Sequence, residues 1–421
     1  MKLATYHTPR ATGGEQLKPV LSPGSSWAQF GDQVLLYADD TEWEALARRA
    51  GRSALRLQEY GAPAQREHLH IVVQNGRLFQ QEHPDVPVIL DRGRILLVEL
   101  EPERVRQFEE KSMTCYGVLP LTENQVVFDV RDGAAARAVR VDWIANLVNE
   151  VSRPSLEANL THLVSFPTRH STNVHYANAA SWARDRLEAL QYTTRLQNIT
   201  VNGSPSQNVI ADKRGNAAGA RDVVLITAHL DSINTRGGPM APAPGADDNG
   251  SGSAGLLEMA RVFATHRSEH DLRFILFGGE EEGLFGSIQY VAGLPGAEHQ
   301  RIRAVVNMDM IGTMNTSLHT VMLEGAPVSE SVINGLAEAA ATYTTLTVET
   351  SLHPFASDHV PFIRAGIPAV LTIEGADSTN SNVHSMKDMI GHINYHLALE
   401  VLRMNVAFLA GEIGQAPPTQ V

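Results

Sequence analysis

Short apolar runs alternate with stretches of helical periodicity over the second half of the chain. Val223–Ala228, Arg273–Phe277 and Ala304–Asn307 are such runs, and a helical pattern follows each of the first two. Strands that are apolar without alternation are buried on both faces, as in parallel sheets that helices cover. The pattern therefore predicts an α/β domain whose mixed, largely parallel sheet is sandwiched by helices.

Further elements extend this domain, which we place at residues 150–412. A hairpin is predicted across Asn202-Gly203-Ser204, and additional strands and helices flank it. The additional strands are Arg195–Val201, Gln207–Ala211, Thr320–Leu323 and Ala369–Ile373, and the helices are Ser155–Leu163, Trp182–Leu190, Gly255–Thr265, Gly286–Ala292 and Tyr395–Leu409.

The preceding part of the chain predicts a separate, small α+β domain at residues 27–145, after a flexible segment at residues 1–26. Its predicted strands are Val34–Tyr37, Leu69–Val73, Ile95–Leu100 and Gln125–Val130, and its predicted helices are Thr41–Ala50 and Glu103–Lys111. This sequence carries no cluster of metal ligands or nucleophiles. We expect a prodomain or a fixed lid that limits access to the active site, with a domain that only assists folding or oligomerisation as the alternative.

Composition and charge exclude several classes of protein. Acidic residues (47) outnumber basic ones (34), and the net charge of −13 disfavours nucleic acid as a partner. The single cysteine, Cys115, cannot form an internal disulfide and is expected to be a small apolar core residue. No apolar run approaches the ~18 residues that a membrane-spanning helix needs. The N-terminus lacks the apolar stretch of a secretory signal, so the protein either stays in the cytoplasm or has lost a signal.

Acids and a histidine follow the predicted parallel strands where each strand ends. His229 and Asp231 come after the first strand, Glu280 and Glu281 after the second, and Asp309 after the third. An acidic loop with Asp247 and Asp248 lies between the first two, and His384 lies in a polar loop near the end. Ligands collect at the carboxyl ends of parallel strands, so we expect these side chains to meet there.

Burying His229, Asp247, Glu281, Asp309 and His384 together would be prohibitive without cations that neutralise the carboxylates. Nitrogen and oxygen ligands without cysteine suit zinc, and this number of ligands can hold two ions about 3.5–4 Å apart. The residues therefore predict a site for two zinc ions.

An ordered set of motifs gives the chain a family resemblance from about Ser155 to Ala410. The segment resembles the co-catalytic zinc aminopeptidases of family M28, a group that includes bacterial secreted leucyl aminopeptidases. The motifs are Ala228-His229-Leu230-Asp231-Ser232, Pro244-Gly245-Ala246-Asp247-Asp248-Asn249, Gly279-Glu280-Glu281-Glu282-Gly283-Leu284, Asn307-Met308-Asp309-Met310, Ser357-Asp358-His359 with Phe362, and His384 with Asp388.

The resemblance implies a role for each ligand. His229 and Asp309 would bind one zinc ion, Glu281 and His384 would bind the other, and Asp247 would bridge the two. It also implies a cis peptide bond between Asp247 and Asp248 and a hydrogen bond from His229 to Asp231 that fixes the imidazole tautomer.

The same resemblance implies the reaction and its substrates. Glu280 would be the general base that takes a proton from the attacking water during release of single residues from peptides with a free N-terminus. It also favours a secreted or periplasmic location. Some members have a tyrosine before the Ser-Asp-His motif that helps to hold the oxyanion; here His353 is a candidate replacement, or a plain surface histidine.

Other residues and other families remain as alternatives. Glu282 is expected to have a loop or capping role, and His319, His392 and His396 are expected to be structural. Glutaminyl cyclases share the fold but use one zinc ion. Related carboxypeptidases or acylases of the M20 type insert a lid domain that has no counterpart between Glu281 and His384. A non-catalytic relative would have broken ligands.

Overall fold

The computed structural model describes residues 1–7, 21, 25–52, 57–60, 65–74, 76–109, 116–131 and 133–417. The described chain forms two compact units. The first comprises Met1–Asp132 together with Glu349–Ala356, and the second comprises Gly133–Val348 together with Ser357–Val421. Cys115 lies outside the described residues.

Strands and helices are numbered in chain order. The strands are β1 (Lys2–His7), β2 (Ser25–Phe30), β3 (Gln33–Ala38), β4 (Gln58–Glu59), β5 (Leu69–Gln74), β6 (Val88–Arg92), β7 (Ile95–Glu99), β8 (Tyr116–Pro120), β9 (Gln125–Val130), β10 (Thr193–Val201), β11 (Ser204–Lys213), β12 (Val223–His229), β13 (Asp271–Phe277), β14 (Ile302–Met308), β15 (Thr320–Glu324), β16 (Thr347–Ser351) and β17 (Ala369–Glu374). The helices are α1 (Asp40–Arg52), α2 (Leu78–Glu82), α3 (Pro102–Glu109), α4 (Gly133–Ala136), α5 (Asp142–Asn149), α6 (Arg153–Val164), α7 (Val174–Ala189), α8 (Gly252–Phe263), α9 (Phe285–Ala292), α10 (Gly296–His299), α11 (Glu330–Tyr343), α12 (His359–Arg364) and α13 (Tyr395–Ile413).

The first unit has an α+β architecture, as predicted. β4, β1, β3, β2 and β9 lie side by side, and residues 349–351 of β16 pair with β9. A second sheet has the order β6-β7-β5-β8, with antiparallel neighbours throughout. Trp43 and Leu46 of α1 pack on the first sheet, and Phe79 and Phe108 pack on the second.

Two expectations about the first unit were wrong. Residues 2–7, expected to be flexible, form β1, because Leu3, Ala4 and Tyr6 are buried between β3 and β4. Residues 8–20 and 22–24 of that expected flexible segment lie outside the described residues. The domain boundary also comes earlier than residues 145–150, because Ile144, Leu147 and Val148 of α5 belong to the core of the second unit.

The second unit contains the predicted mixed sheet. Its strand order is β10-β11-β13-β12-β14-β17-β15. The four central strands, β13, β12, β14 and β17, are mutually parallel. β10, β11 and β15 are antiparallel to their neighbours at the two sides. β10 and β11 form the predicted hairpin, which is confirmed. Because the central strands are parallel, the carboxyl ends of β12, β13 and β14 lie at the same edge of the sheet.

Helices cover both faces of this sheet, which explains why its central strands are apolar without alternation. Val224 and Ile226 of β12 face the large core formed with α8, α11 and α13, whereas Val223 and Leu225 face a smaller core with α9 and α12. Within the described residues, no helix is both long and apolar enough to cross a membrane.

Close packing at the start of α9 predicts a large effect of one added methyl group. A Cβ atom on Gly286 would lie 2.4 Å from the Gly278 carbonyl oxygen and 2.5 Å from Asn208 Oδ1. We expect Gly286→Ala to lower the free energy of unfolding by about 2 kcal/mol, because backbone atoms must move to admit the methyl group. Urea unfolding followed by circular dichroism measures the change.

The matched control is Gly411→Ala in α13, where an added Cβ meets nothing within 4 Å. We expect this variant to unfold at the same or a higher urea concentration, with a gain of up to about 1 kcal/mol from the reduced flexibility of the unfolded chain. Equal destabilisation by both variants would contradict the packing argument.

Candidate active site

The carboxylate of Asp248 lies between two imidazole rings at the carboxyl edge of the parallel strands. Its Oδ1 is 3.3 Å from Nε2 of His229, the last residue of β12, and its Oδ2 is 3.1 Å from Nε2 of His384. One carboxylate thus faces two nitrogen ligands with its two oxygens, which is the arrangement of a bridging group.

Further carboxylates lie on each side of Asp248. Asp309 Oδ1 is 3.1 Å and Glu280 Oε2 is 4.0 Å from His229 Nε2, while Glu281 Oε2 is 3.0 Å from His384 Nε2. Two groups of ligand atoms each lie within 4.8 Å of one another: His229, Asp248 and Glu281 in one, and His229, Glu280 and Asp309 in the other.

Asp247, which the resemblance implied would bridge two zinc ions, does not face the two histidines. Asp247 Oδ1 accepts a hydrogen bond from the Gly312 amide and its Oδ2 accepts one from Asn380 Nδ2, each at 2.9 Å. The cis peptide bond joins Asp248 to Asn249 rather than Asp247 to Asp248. The cis peptide bond therefore lies one residue later than expected, and Asp248 rather than Asp247 faces both histidines, because neighbouring side chains of this turn point in different directions and the Asp-Asp sequence does not distinguish them.

Asp231 lies on the other side of the His229 ring, but the hydrogen bond from His229 that the resemblance implied is not formed, since neither His229 Nδ1 nor Asp231 Oδ1 has a hydrogen-bond partner among the described residues. Its Oδ1 is 3.5 Å from His229 Nδ1, and its Oδ2 accepts a hydrogen bond of 3.1 Å from the Glu281 amide. Asp231 is completely buried. One of its oxygens faces the imidazole, and the other fixes the backbone of Glu281.

Supporting residues that the sequence analysis did not assign hold the ligands in place. Ser357 Oγ donates a 2.7 Å hydrogen bond to Asp309 Oδ2 and accepts one of 2.9 Å from Asn307 Nδ2. Asp388 accepts hydrogen bonds of 2.9 Å from the amides of both Asp247 and Asp248. Ser357 and Asp388 lie inside the sequence motifs, but only the fold shows which groups they contact.

Burial and mutual repulsion shift the pKa values of these groups. Burial raises the pKa of Glu281 to about 7, with a further contribution from Asp248, and burial also raises that of Glu280 well above its usual value. Burial opposes ionisation of Asp248 too, yet its hydrogen bonds to His229 and His384 hold its pKa below the usual range. The site is therefore short of positive charge relative to its carboxylates.

The remaining predicted residues lie elsewhere or have other partners. Glu282 Oε1 accepts a hydrogen bond of 3.3 Å from the Ser171 amide and lies 3.1 Å from His170 Nδ1, in agreement with a loop role. His353 belongs to the segment grouped with the first unit, where its Nδ1 is 3.0 Å from the Val127 carbonyl oxygen. Its role as an oxyanion donor stays a prediction.

Three surface histidines fit the structural role expected of them. The rings of His319 and His396 contact each other with their centroids 4.4 Å apart, and His392 ends a short 3-10 turn. Among the described residues, neither group of neighbouring ligand atoms includes any of these three histidines.

The donor set fits divalent zinc. It consists of imidazole nitrogens and carboxylate oxygens, which are common zinc ligands. His229 Nδ1, Asp231 Oδ1 and Glu281 Oε1 are buried and have no hydrogen-bond partner among the described residues. His229 Nδ1 and Asp231 Oδ1 face each other, but Glu281 Oε1 has no such neighbour; buried acceptors normally have a partner, and a cation beside Glu281 would supply one.

The chain is similar in sequence to known peptidases. The profile of Peptidase family M28 matches residues 208–409. Leucine aminopeptidase 1 of Chaetomium globosum is 30% identical over 281 residues, which are 62% of this chain and 67% of that protein. Leupeptin-inactivating enzyme 1 of Streptomyces exfoliatus is 31% identical over 245 residues, or 56% of this chain, and the chain spans only about half (53%) of that relative.

A solved structure shows the same fold. The Legionella pneumophila LapA aminopeptidase aligns with a TM-score of 0.58 and 19% identity, over 82% of this chain and 99% of its own. The matched profile begins in β11 and ends in α13, so it spans every strand end that contributes to the site. Together with the identity to leucine aminopeptidase 1, this establishes that the chain belongs to peptidase family M28.

Proposed function

We propose that this protein is an aminopeptidase that uses two zinc ions and a glutamate general base to release the N-terminal residue of peptides. The observation that carries the proposal is the position of the Asp248 carboxylate between His229 and His384. A carboxylate that faces two imidazoles from opposite oxygens, with a further acid beside each imidazole, suits a pair of cations.

Each ion would have its own set of ligands. His229 and Asp309 would hold one zinc ion, His384 and Glu281 would hold the other, and Asp248 would be shared. Asp248 replaces Asp247 in the assignment made from the sequence. When bound, zinc supplies a Lewis acid that polarises the scissile carbonyl and makes a neighbouring water molecule more acidic.

Glu280 is the residue best placed to move protons. It adjoins the ligand Glu281 in sequence, lies in the same cluster as His229 and Asp309, and its side chain is only 10% exposed. Burial raises its pKa, so its carboxylate is a stronger base towards water, and the acid that it forms can return the proton to the leaving amine.

The charge of the site favours substrates with a free α-ammonium group. Glu281 and Asp309 would be occupied by zinc, but Glu280 in the same cluster would stay unbound, and the chain carries a net charge of −13. Such a field attracts a cation and repels the terminal carboxylate that a carboxypeptidase must bind. The names of the leucine aminopeptidase and LapA relatives support the same direction of cleavage.

Metal content tests the proposal directly. We expect the purified protein to bind up to two zinc equivalents, and we expect chelation to abolish hydrolysis of aminoacyl-p-nitroanilides until zinc is restored. Mass spectrometry under native conditions and the activity assay measure both. Full activity of the metal-free protein would refute the proposal.

Two isosteric variants test which aspartate bridges the ions. Asp248→Asn should reduce zinc content to one equivalent or less, because an amide lacks the second anionic oxygen that faces His384. Asp247→Asn is the matched control and should retain both ions, since its carboxylate contacts Gly312 and Asn380 instead. The reverse result would restore the assignment to Asp247.

A second pair of variants separates the base from a ligand. Glu280→Gln should keep its zinc and lower kcat by about a thousandfold, because proton transfer alone is lost. Glu281→Gln should instead weaken binding of the ion held with His384. Equal loss of zinc in both variants, or an active Glu280→Gln protein, would contradict these roles.

Blocking the substrate N-terminus tests the direction of cleavage. We expect an N-acetylated dipeptide amide to have a kcat/KM at least about a hundredfold below that of the free form, equivalent to about 3 kcal/mol of lost transition-state binding. Steady-state rates on the two compounds decide the matter. Equal rates would indicate an acylase or carboxypeptidase.

A further inference from the structure

Arg169 is a fully buried cation that contacts the backbone next to the proposed zinc ligands, at Leu230 after His229 and at Gly245 before Asp248. The sequence motifs do not include it. Its side chain has 0% relative exposure and is among the largest completely buried in the described chain. Burial lowers the pKa of Arg169 to about 10, while the charges of Asp388, Asp231, Asp248 and Glu281 raise it, so the guanidinium remains charged at neutral pH. A buried charge of this kind needs several partners.

The guanidinium finds its partners in backbone carbonyl groups from three separate parts of the chain. Nε donates to Leu230 at 2.8 Å, and Nη1 donates to Leu163 at 3.2 Å. The acidic loop is held by two further bonds, from Nη1 to Pro244 at 2.6 Å and from Nη2 to Gly245 at 2.8 Å. One planar side chain therefore joins the end of α6, the residue after His229 and the loop that leads to Asp248.

Beside this contact there is no room for a side chain at Gly245. Gly245 has a φ of +52°, and a Cβ atom there would lie 3.0 Å from Arg169 Nη2 and 2.5 Å from Ser232 Cβ. The Arg169 amide in turn donates to Ser232 Oγ at 3.1 Å, so the arginine is itself fixed by the strand-end segment it supports. The carbonyl groups of residues 244–245 are thus held from one direction by the guanidinium.

Asp388 holds the same loop by its opposite polarity. Its carboxylate accepts hydrogen bonds from the amides of Asp247 and Asp248, two to four residues after the carbonyls that Arg169 binds. A cation thus binds the carbonyl groups of this short segment and an anion binds its amide groups, so the backbone that leads to Asp248 is held from both sides. The backbone so held fixes the direction of the Asp248 Cα–Cβ bond, from which the carboxylate reaches His229 and His384.

We propose that Arg169 is a positioning residue of the active centre, which fixes the Asp248 carboxylate by holding the carbonyl groups of Pro244 and Gly245 and thereby sets the affinity for zinc. The inference rests on the proposed function, because it assigns Asp248 as the shared ligand. Arginine is required here because its rigid fork serves four carbonyl groups, whereas a lysine has three donors on a flexible stem.

The experiment compares Arg169→Lys and Arg169→Met with the unaltered protein. Metal-free proteins are titrated with zinc in competition with a chromophoric chelator, and kcat and KM are measured on an aminoacyl-p-nitroanilide. We expect Arg169→Lys to fold, to bind zinc at least tenfold more weakly, and to lose kcat with KM changed less than twofold. Arg169→Met should weaken zinc binding further, and if it does not fold, the lysine variant decides the matter.

Lys213→Met provides a matched control for general destabilisation. Lys213 is also a partly buried cation bound to backbone carbonyls, at Phe263 and at Ala264 (2.6 Å). It ends β11 beside Leu272, near the start of β13 and hence at the opposite edge of the sheet from the site. We expect this variant to melt at a lower temperature but to bind zinc within twofold of the unaltered protein.

The outcomes separate this inference from the proposed function. Zinc affinity within twofold of the unaltered protein in Arg169→Lys would overturn the positioning role and leave the aminopeptidase proposal intact. Equal loss of zinc affinity in Arg169→Lys and Lys213→Met would also overturn it, because the effect would then follow stability alone. An unaltered protein that binds no zinc would refute the proposed function and this inference together.

Discussion

Repulsion between buried carboxylates is the constraint on which the rest of the active centre depends. Asp231, Asp248 and Asp309 are buried at one edge of the sheet, with Glu280 and Glu281 nearly so. Like charges in a region of low dielectric constant raise each other's pKa values and oppose folding of the ionised protein. Imidazoles of His229 and His384 and the guanidinium of Arg169 offset part of this charge, and the proposed zinc ions would offset the rest.

The sheet makes such a concentration of charge possible without disturbing the core. Parallel pairing of β12, β13 and β14 places three strand ends at one edge, while Val224, Ile226 and their neighbours are packed between helices. His229 therefore ends one rigid strand and Asp309 directly follows another, and apolar contacts on both faces stabilise these strands. The acidic loop and the loop with His384 do not come directly after the end of a strand. Arg169 and Asp388 fix the acidic loop by hydrogen bonds to its backbone.

The first unit has a different character. It has its own cores around Trp43 and Phe79, and a short segment from the later part of the chain, Glu349–Ala356, completes it by pairing with β9. The first unit, whose sequence carries no catalytic motif, thus packs around its own cores. It includes the segment just before the Ser-Asp-His motif. Its expected role as a prodomain or lid stays a prediction.

The sequence by itself determined the parallel sheet and the ligand types, because apolar periodicity and strand-end acids are local patterns. His229, Glu281, Asp309 and His384 could be proposed as ligands for this reason, and the structure brings their side chains together in two pairs. Only the tertiary structure shows that Asp248 rather than Asp247 faces the two imidazoles, since adjacent carboxylates have the same chemistry and differ only in the direction that a turn gives them. Likewise, Arg169 acquires its role from carbonyl groups of residues 163, 230, 244 and 245, which become neighbours only when the chain has folded.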